Sequence, residues 1–341
     1  MLRRQNPRPT RTQPALLAAA LTCLLPFLAL VAQQPAAQQA APTAAPPRAQ
    51  PDAKTQEAGL GLTGPANPKL PSLILVGDST VRNGHGTGSD GLWGWGAPIA
   101  DLFDPTKINV VNRAIGGLSS HTYISQGHWD STLELIKPGD FVLIQFGHND
   151  GGLNLPGAVP VPDQGLQPGA APPTPPPGAA PRAPNGRGSL PGIGEETLDV
   201  PNARAGTTET VHTFGWYMRK YVDDTKAKGA TPILCSLVPR KIWLPDGHIH
   251  RSATTYEGWT QQVAAAEHIG FDDLNEIIAR RYDALGQPAV EPLFGDPHTH
   301  TTLIGAQLNA ECVVAGLRAL PHDPLKKYLS PKGLAIAPYK A

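Results

Sequence analysis

The chain has 341 residues, 28 Lys and Arg against 28 Asp and Glu, a formal net charge of zero, and only 16% charged residues. No Lys/Arg cluster exists beyond the N-terminal segment, which argues against nucleic acid or an anionic membrane surface as a partner.

Residues 1–33 read as a signal peptide. Arg3, Arg4, Arg8 and Arg11 form a positive start, Leu16 to Ala32 is nearly all apolar, and Ala32-Gln33 offers a small-residue exit. The apolar run, about 17 residues, sits at the lower edge of what spans a bilayer, so a retained anchor is the alternative. Residues 34–69, rich in Ala, Gln and Pro without apolar periodicity, are expected to be a disordered linker. A folded body of about 250 residues, one domain in size, is expected over 70–325, with 326–341 as a tail.

Within that body, four continuous apolar runs read as strands covered on both faces: 72–79, 108–115, 140–148 and 231–239. Helix patterns run from Trp93 to Phe103, Trp129 to Ile136, Thr210 to Lys228, Thr255 to His268 and Thr302 to Leu320. Strand–helix repetition predicts an α/β fold, a mostly parallel central sheet with helices on both faces. Residues 154–192 break the rhythm: twelve prolines between Pro156 and Pro191 exclude helix and central strand, and predict an extended insertion. Cys23 falls in the signal; Cys235, in the apolar "PILCSLVP", and Cys312, in a helical pattern, form either one disulfide or two buried thiols.

In open parallel sheets, ligands bind beyond the carboxyl ends of the strands. Three strand candidates end there in small or polar residues: Gly77-Asp78-Ser79, Gly116-Gly117 and Gly147-His148-Asn149-Asp150. A hydrolytic serine needs a base, and the base an orienting acid. The late stretch "GDPHTHTTLIGA" supplies Asp296, His298 and His300. The tetrahedral intermediate of acyl transfer also needs donors for its oxyanion. The N–H groups of Ser79 and Gly117 and the side-chain amide of Asn149 qualify. Asp78 is expected to bond to nearby backbone, and His148 and Asp150 to support the site. A metal reading of "DPHTH" with "HIH" at 248–250 is weighed and set aside, because no closed zinc-site spacing exists. The tryptophans are read as packing residues.

"GDST", "NRAIGGLSS", "GHND" and the late Asp/His block resemble, in order, the four blocks of the SGNH (GDSL-type) hydrolases. The stretches "TVHTFGWYMRKYVDDTKAKGATPILCSLVPRKIW" and "HTHTTLIGAQLNAE" are similar to the rhamnogalacturonan acetylesterase branch. The resemblance covers most of 72–320 and implies a three-layer, flavodoxin-like fold. Carried over by motif, it implies Ser79 as nucleophile, His300 as base and Asp296 as acid. Ser79, Gly117 and Asn149 form the implied oxyanion hole, and no cofactor or metal is implied. His300 rather than His298 matches because the family histidine precedes a Gly-Ala by five residues, as His300 precedes Gly305. The acid stands four residues before the base instead of the usual three, so one loop residue, Pro297 or His298, must be absorbed. The serine lies outside any G-x-S-x-G elbow. The implied function is a secreted or periplasmic serine esterase that removes acetyl groups from pectic polysaccharide. Its partner would be an acetylated polysaccharide or oligosaccharide, with no stable membrane association after signal cleavage. The alternatives are a lipid or acyl-thioester hydrolase with the same apparatus, or an inactive sugar-binding module.

Overall fold

The structure, a computed structural model, describes residues 52–152, 186–202 and 206–341. The expected signal peptide, and residues 154–185 of the expected insertion, lie outside the described residues. Strands are β1 (Ser72–Gly77), β2 (Asn109–Asn112), β3 (Phe141–Gln145), β4 (Thr197–Asn202), β5 (Thr207–His212), β6 (Thr231–Cys235) and β7 (Gly270–Asp272). Helices are α1 (Ala53–Gly59), α2 (Ser120–Ser125), α3 (His128–Leu133), α4 (Phe214–Ala227), α5 (Tyr256–Ala266), α6 (Leu274–Leu285), α7 (Gln287–Val290), α8 (Leu303–Ala319) and α9 (Pro331–Ala335).

Five strands form one all-parallel sheet in the order β2-β1-β3-β6-β7. The residues of β1 alternate between two cores because both faces are covered. Leu73 and Leu75 enter one core with Ile99, Phe103, Ile278, Tyr282 and Val313; Ile74 and Val76 enter the other with Tyr123, Trp129, Phe214 and Tyr221. All four of these β1 side chains are at most 1% exposed, each contributing about 1.5–3 kcal/mol of burial free energy. This three-layer arrangement is the predicted α/β fold. The chain runs from β1 outward to β2 on one side and, through β3, to β6 on the other, so direction reverses at β1. The crevice beyond the carboxyl ends of β1 and β3 is therefore the place for a ligand.

Helix ends follow local chemistry. Thr213 caps α4 by accepting from Trp216 N–H, and Gly229, with φ +73°, follows the helix where a left-handed residue closes it. Thr302, two residues after His300, caps α8 by accepting from Gly305 N–H, so the helix starts at Leu303.

Several expectations need correction. The stretch 93–103 is not a helix but a loop followed by a short 3-10 turn over Pro98–Leu102. Gly94 abuts the backbone of Val81, where an added Cβ would lie 2.3 Å from the Val81 carbonyl carbon, an approach that a helix with side chains would not permit. Residues 207–212, which overlap the helix expected from Thr210 to Lys228, pair with 197–202 as an antiparallel hairpin. The expected linker 34–69 is ordered from Asp52 on. Asp52 caps α1, and Glu57 of α1 is buried against Arg113, His128 and Ser131. Residues 186–192, within the expected extended insertion, are anchored: Ser189 bonds to Asp150, and Leu190 bridges to Thr213. The expected tail 326–341 belongs to the fold, because Leu329 enters the core and Tyr339 N–H donates to Ala315 O. Cys235 and Cys312 are both free and buried. Among the described residues, no helix is long and apolar enough to cross a membrane.

Candidate active site

Strand β1 delivers its chain into a turn built on Asp78. Its carbonyl accepts from the N–H groups of Val81 (3.2 Å) and Arg82 (3.0 Å). Its carboxylate Oδ1 accepts from the N–H and the hydroxyl of Thr80, each at 2.8 Å. Asp78 is fully buried, and burial, against the opposing Thr80 hydrogen bonds, pushes its carboxyl up to about 6. The turn holds Ser79 half-buried at the end of the sheet.

Ser79 Oγ–H donates to His300 Nε2 at 2.9 Å, and His300 Nδ1–H donates to Asp296 Oδ2 at 2.6 Å. The loop wraps the other oxygen of Asp296. Oδ1 accepts from the N–H groups of His298 (3.0 Å), Thr299 (2.6 Å) and His300 (3.0 Å). This is how the four-residue spacing is absorbed: the extra residue closes a turn around Oδ1 and leaves Oδ2 to the imidazole. Burial raises the Asp296 carboxyl, but Thr299 N–H, the imidazole and the remaining N–H donors outweigh it and hold it below the ordinary carboxylate value.

The loop that carries Asp296 and His300 is pinned from outside. Trp93 N–H donates to Thr301 O (2.8 Å), and the Thr301 hydroxyl donates to Trp93 O (2.7 Å). His298 turns elsewhere, with Nδ1 2.6 Å from the Thr299 hydroxyl. Burial and then Arg240 lower its imidazole below the usual range. Arg240 bonds to Thr299 Oγ1 and reaches the carbonyl of His148 (3.4 Å). His148 is buried; its imidazole is held well below the usual value first by burial, then by Arg240 and His300.

The expected oxyanion residues lie at the same rim. Gly116 packs on Ser79, where an added Cβ would come within 3.4 Å of Ser79 Cβ. Gly117 follows with φ +79°, a left-handed conformation that glycine adopts without strain. The Asn149 amide donates to Leu118 O at 3.0 Å, tying the loop after β3 to the loop after β2. Asp150 locks the two loops from beneath. Fully buried, it accepts from Ser120 N–H and hydroxyl, Ser189 hydroxyl (3.0 Å) and Gly147 N–H (3.1 Å).

One support is absent from the sequence reading. Trp95 Nε1–H donates to Gln145 Oε1 (2.8 Å), and Gln145 Nε2 donates to Thr80 Oγ1 (2.6 Å). This buried chain ties the end of β3 to the serine turn. The signal was a lone amide inside the apolar run "FVLIQF", since a buried amide requires partners. In the "HIH" stretch, His248 lies against Asp283 (3.2 Å). Among the described residues, no group of three or more His, Cys, Asp or Glu side chains is placed to hold a metal ion.

Sheet order and switch-point location define a three-layer, flavodoxin-like α/β protein that carries a hydroxyl–imidazole–carboxylate chain at the carboxyl edge of its sheet. The profile of the GDSL-like lipase/acylhydrolase family matches residues 75–308, and the chain belongs to that family of ester hydrolases. The chain is similar to a rhamnogalacturonan acetylesterase of Emericella nidulans, 28% identical over 240 residues that cover 70% of this chain and 82% of the relative. It is also similar to a probable rhamnogalacturonan acetylesterase, YesY, of Bacillus subtilis, 26% identical over 253 residues, covering 73% and 93%. Among solved structures, the crystal structure of the YxiM protein of Bacillus subtilis superposes with a TM-score of 0.52 at 22% identity, covering 73% of this chain and 56% of that one. That likeness concerns the fold alone.

Proposed function

We propose that the protein is an exported carbohydrate esterase that hydrolyses acetyl esters on pectic polysaccharide of the rhamnogalacturonan type. The observation that carries this reading is the continuous chain from Ser79 through His300 to Asp296, at 2.9 and 2.6 Å. The names of the curated relatives supply the substrate class, and the signal-like residues 1–33 agree with a polymer met outside the cytoplasm.

In this reading, Ser79 Oγ attacks the acetyl carbonyl carbon as its proton passes to His300 Nε2. Asp296 holds the imidazole through Nδ1 and stabilises the imidazolium. The oxyanion of the tetrahedral intermediate accepts from Ser79 N–H, Gly117 N–H and the Asn149 amide, which has a second N–H besides the one given to Leu118. Each such donor contributes about 2.7–4 kcal/mol to the transition state. The intermediate collapses, the C–O bond to the sugar breaks, and His300 returns the proton to the departing sugar oxygen. Water, deprotonated by His300, then attacks the acetyl carbonyl; the acyl–Oγ bond breaks, His300 returns the proton to Ser79 Oγ, and acetate leaves.

The test is acetate release from acetylated pectins, xylans and small esters, with Ser79→Ala as control. Pectic acetate release that Ser79→Ala abolishes is expected. A preference for octanoyl over acetyl esters, or activity that survives Ser79→Ala, would overturn the proposal.

A further inference from the structure

His121, in the first turn of α2, is 2% exposed, and both of its ring nitrogens meet acceptors. Nδ1 lies 3.0 Å from the carbonyl oxygen of Gly188, and Nε2 lies 2.7 Å from Oε1 of Glu209 on β5. A carbonyl oxygen only accepts, so Nδ1 carries a hydrogen. Glu209 needs no proton of its own, because its Oε2 accepts from the Asn202 amide at 2.9 Å. Both nitrogens therefore donate, and an imidazole with two N–H groups is an imidazolium. Its bonds complete a circuit that includes the oxyanion loops. Gly188 leads into Ser189, whose N–H donates to Asp150 O (2.9 Å) and whose hydroxyl donates to Asp150 Oδ1 (3.0 Å). Asp150 in turn accepts from the N–H of Ser120, the residue before His121, at 3.1 Å. Asn149 precedes Asp150, and its amide bonds to the carbonyl of Leu118, which follows Gly117. The remaining titratable groups of these elements are accounted for. Tyr217 of α4 stacks on His121 with ring centres 5.2 Å apart, and burial raises its phenol. Burial, and more weakly His121, lower the imidazole of His212 on β5, against Glu195. Asp150, beyond Ser120, is raised by burial against its hydrogen bonds, and the Arg187 guanidinium donates to Gly117 O at 3.2 Å.

We propose that His121 is a positioning residue: as an imidazolium it clamps α2, residues 188–190 and β5 together, which fixes Asn149 and Gly117, and the reaction slows when it gives up a proton. This rests on the ester-hydrolase reading of Ser79. A neutral imidazole has a single N–H, so it can serve Gly188 or Glu209 but not both, and the unserved acceptor then faces a lone pair. A buried acceptor without a donor is costly, so the segment or the hairpin shifts and the circuit that holds Asn149 opens. The sign is opposite to that of the base. His300 works only when neutral and sets the acid limb of the pH profile, whereas His121 works only when charged and sets the alkaline limb.

The test follows kcat/KM for hydrolysis of a small acetyl ester, p-nitrophenyl acetate, from about pH 5 to 9, beside the ¹⁵N chemical shifts of the His121 ring, assigned by their loss in His121→Gln. The ring is expected to show two protonated nitrogens at the acid end, and the alkaline fall in kcat/KM to follow the loss of one of those protons. Glu209→Gln keeps an acceptor for Nε2–H and removes the charge. Both curves should then move together to lower pH, by about one unit or more, while the acid limb set by His300 stays in place. An alkaline limb that the ring's titration does not follow, or that Glu209→Gln leaves unmoved, overturns the proposal. Should Glu209→Gln fail to fold, the two wild-type curves decide alone. A His121 ring with one proton throughout, in an enzyme that hydrolyses the ester, overturns the positioning role by itself. No hydrolysis at any pH, with His121 doubly protonated, overturns the reading of Ser79 and the role that rests on it.

Discussion

Asp78 carries two opposed demands: it must shape the serine turn through Thr80, and it must do so without solvent. Its Oδ2 has no hydrogen-bond partner, and burial pushes the carboxyl up to about 6 from 3.8. The folded state therefore holds a proton that the unfolded chain gives up between about pH 4 and 6. Stability falls as pH rises through that window, and the loss is complete above it, on the order of 3 kcal/mol for a shift of about two pH units. Asp78→Asn keeps an acceptor for Thr80 and removes the charge. Urea unfolding at pH 4 and pH 7.5 should show the variant gaining on the wild type by that order at the higher pH. An unchanged difference would contradict the account. Asp296 has the opposite sign. Its carboxyl is held below 3.8, so its pairing with His300 is present above the ordinary value and is lost only as pH falls through the lowered one. An amide at that position cannot serve the imidazole in the same way, because it offers a donor where Nδ1–H needs an acceptor. Asp296→Asn should lower kcat by on the order of 10³–10⁴-fold, read as acetate release at saturating substrate.

At the scale of elements, α1 shows what a compositional reading overlooks. The Ala/Gln/Pro bias of 34–69 is real, yet Glu57 accepts from the buried Arg113, from Ser131 (2.7 Å) and from His128 Nδ1 (3.0 Å). Arg113 is only 3% exposed, so Glu57→Ala leaves a buried cation without its carboxylate. A loss of about 3–5 kcal/mol is expected in chemical unfolding, and an effect below about 1 kcal/mol would mean that α1 is not part of the cooperative unit. The segment after the proline-rich stretch is tied down more lightly. Ser189→Ala removes one hydrogen bond to Asp150 and should lower stability by about 1 kcal/mol in the same measurement. These elements escaped the sequence because their order comes from single polar contacts with distant residues, which leave no periodic trace. The four long apolar runs did leave one, and β1, β2, β3 and β6 fall inside them. The short strand β7 and the hairpin of β4 and β5 do not, since their residues are few or largely exposed.

For the molecule as a whole, the cysteines give a test that composition could not. Cys235 and Cys312 are free and buried, and burial raises both thiols. In the native protein both should resist a thiol reagent, become reactive on denaturation, and leave the melting temperature indifferent to reductant. A reductant-sensitive melting temperature would contradict the structure. The amino-acid sequence by itself determined the alternation that makes a parallel α/β sheet, and the ordered appearance of a serine, two glycines, an asparagine and an Asp/His loop at strand ends. These are short-range properties, set by side-chain periodicity and by which residues end strands. Tertiary structure alone decided how His300, already preferred over His298 by its spacing to Gly305, meets Ser79 from 221 residues away, that the loop closes around one oxygen of Asp296, and that Gln145 braces the turn. Which nitrogen faces which oxygen depends on how distant segments pack on a common core, and no local pattern encodes that distance.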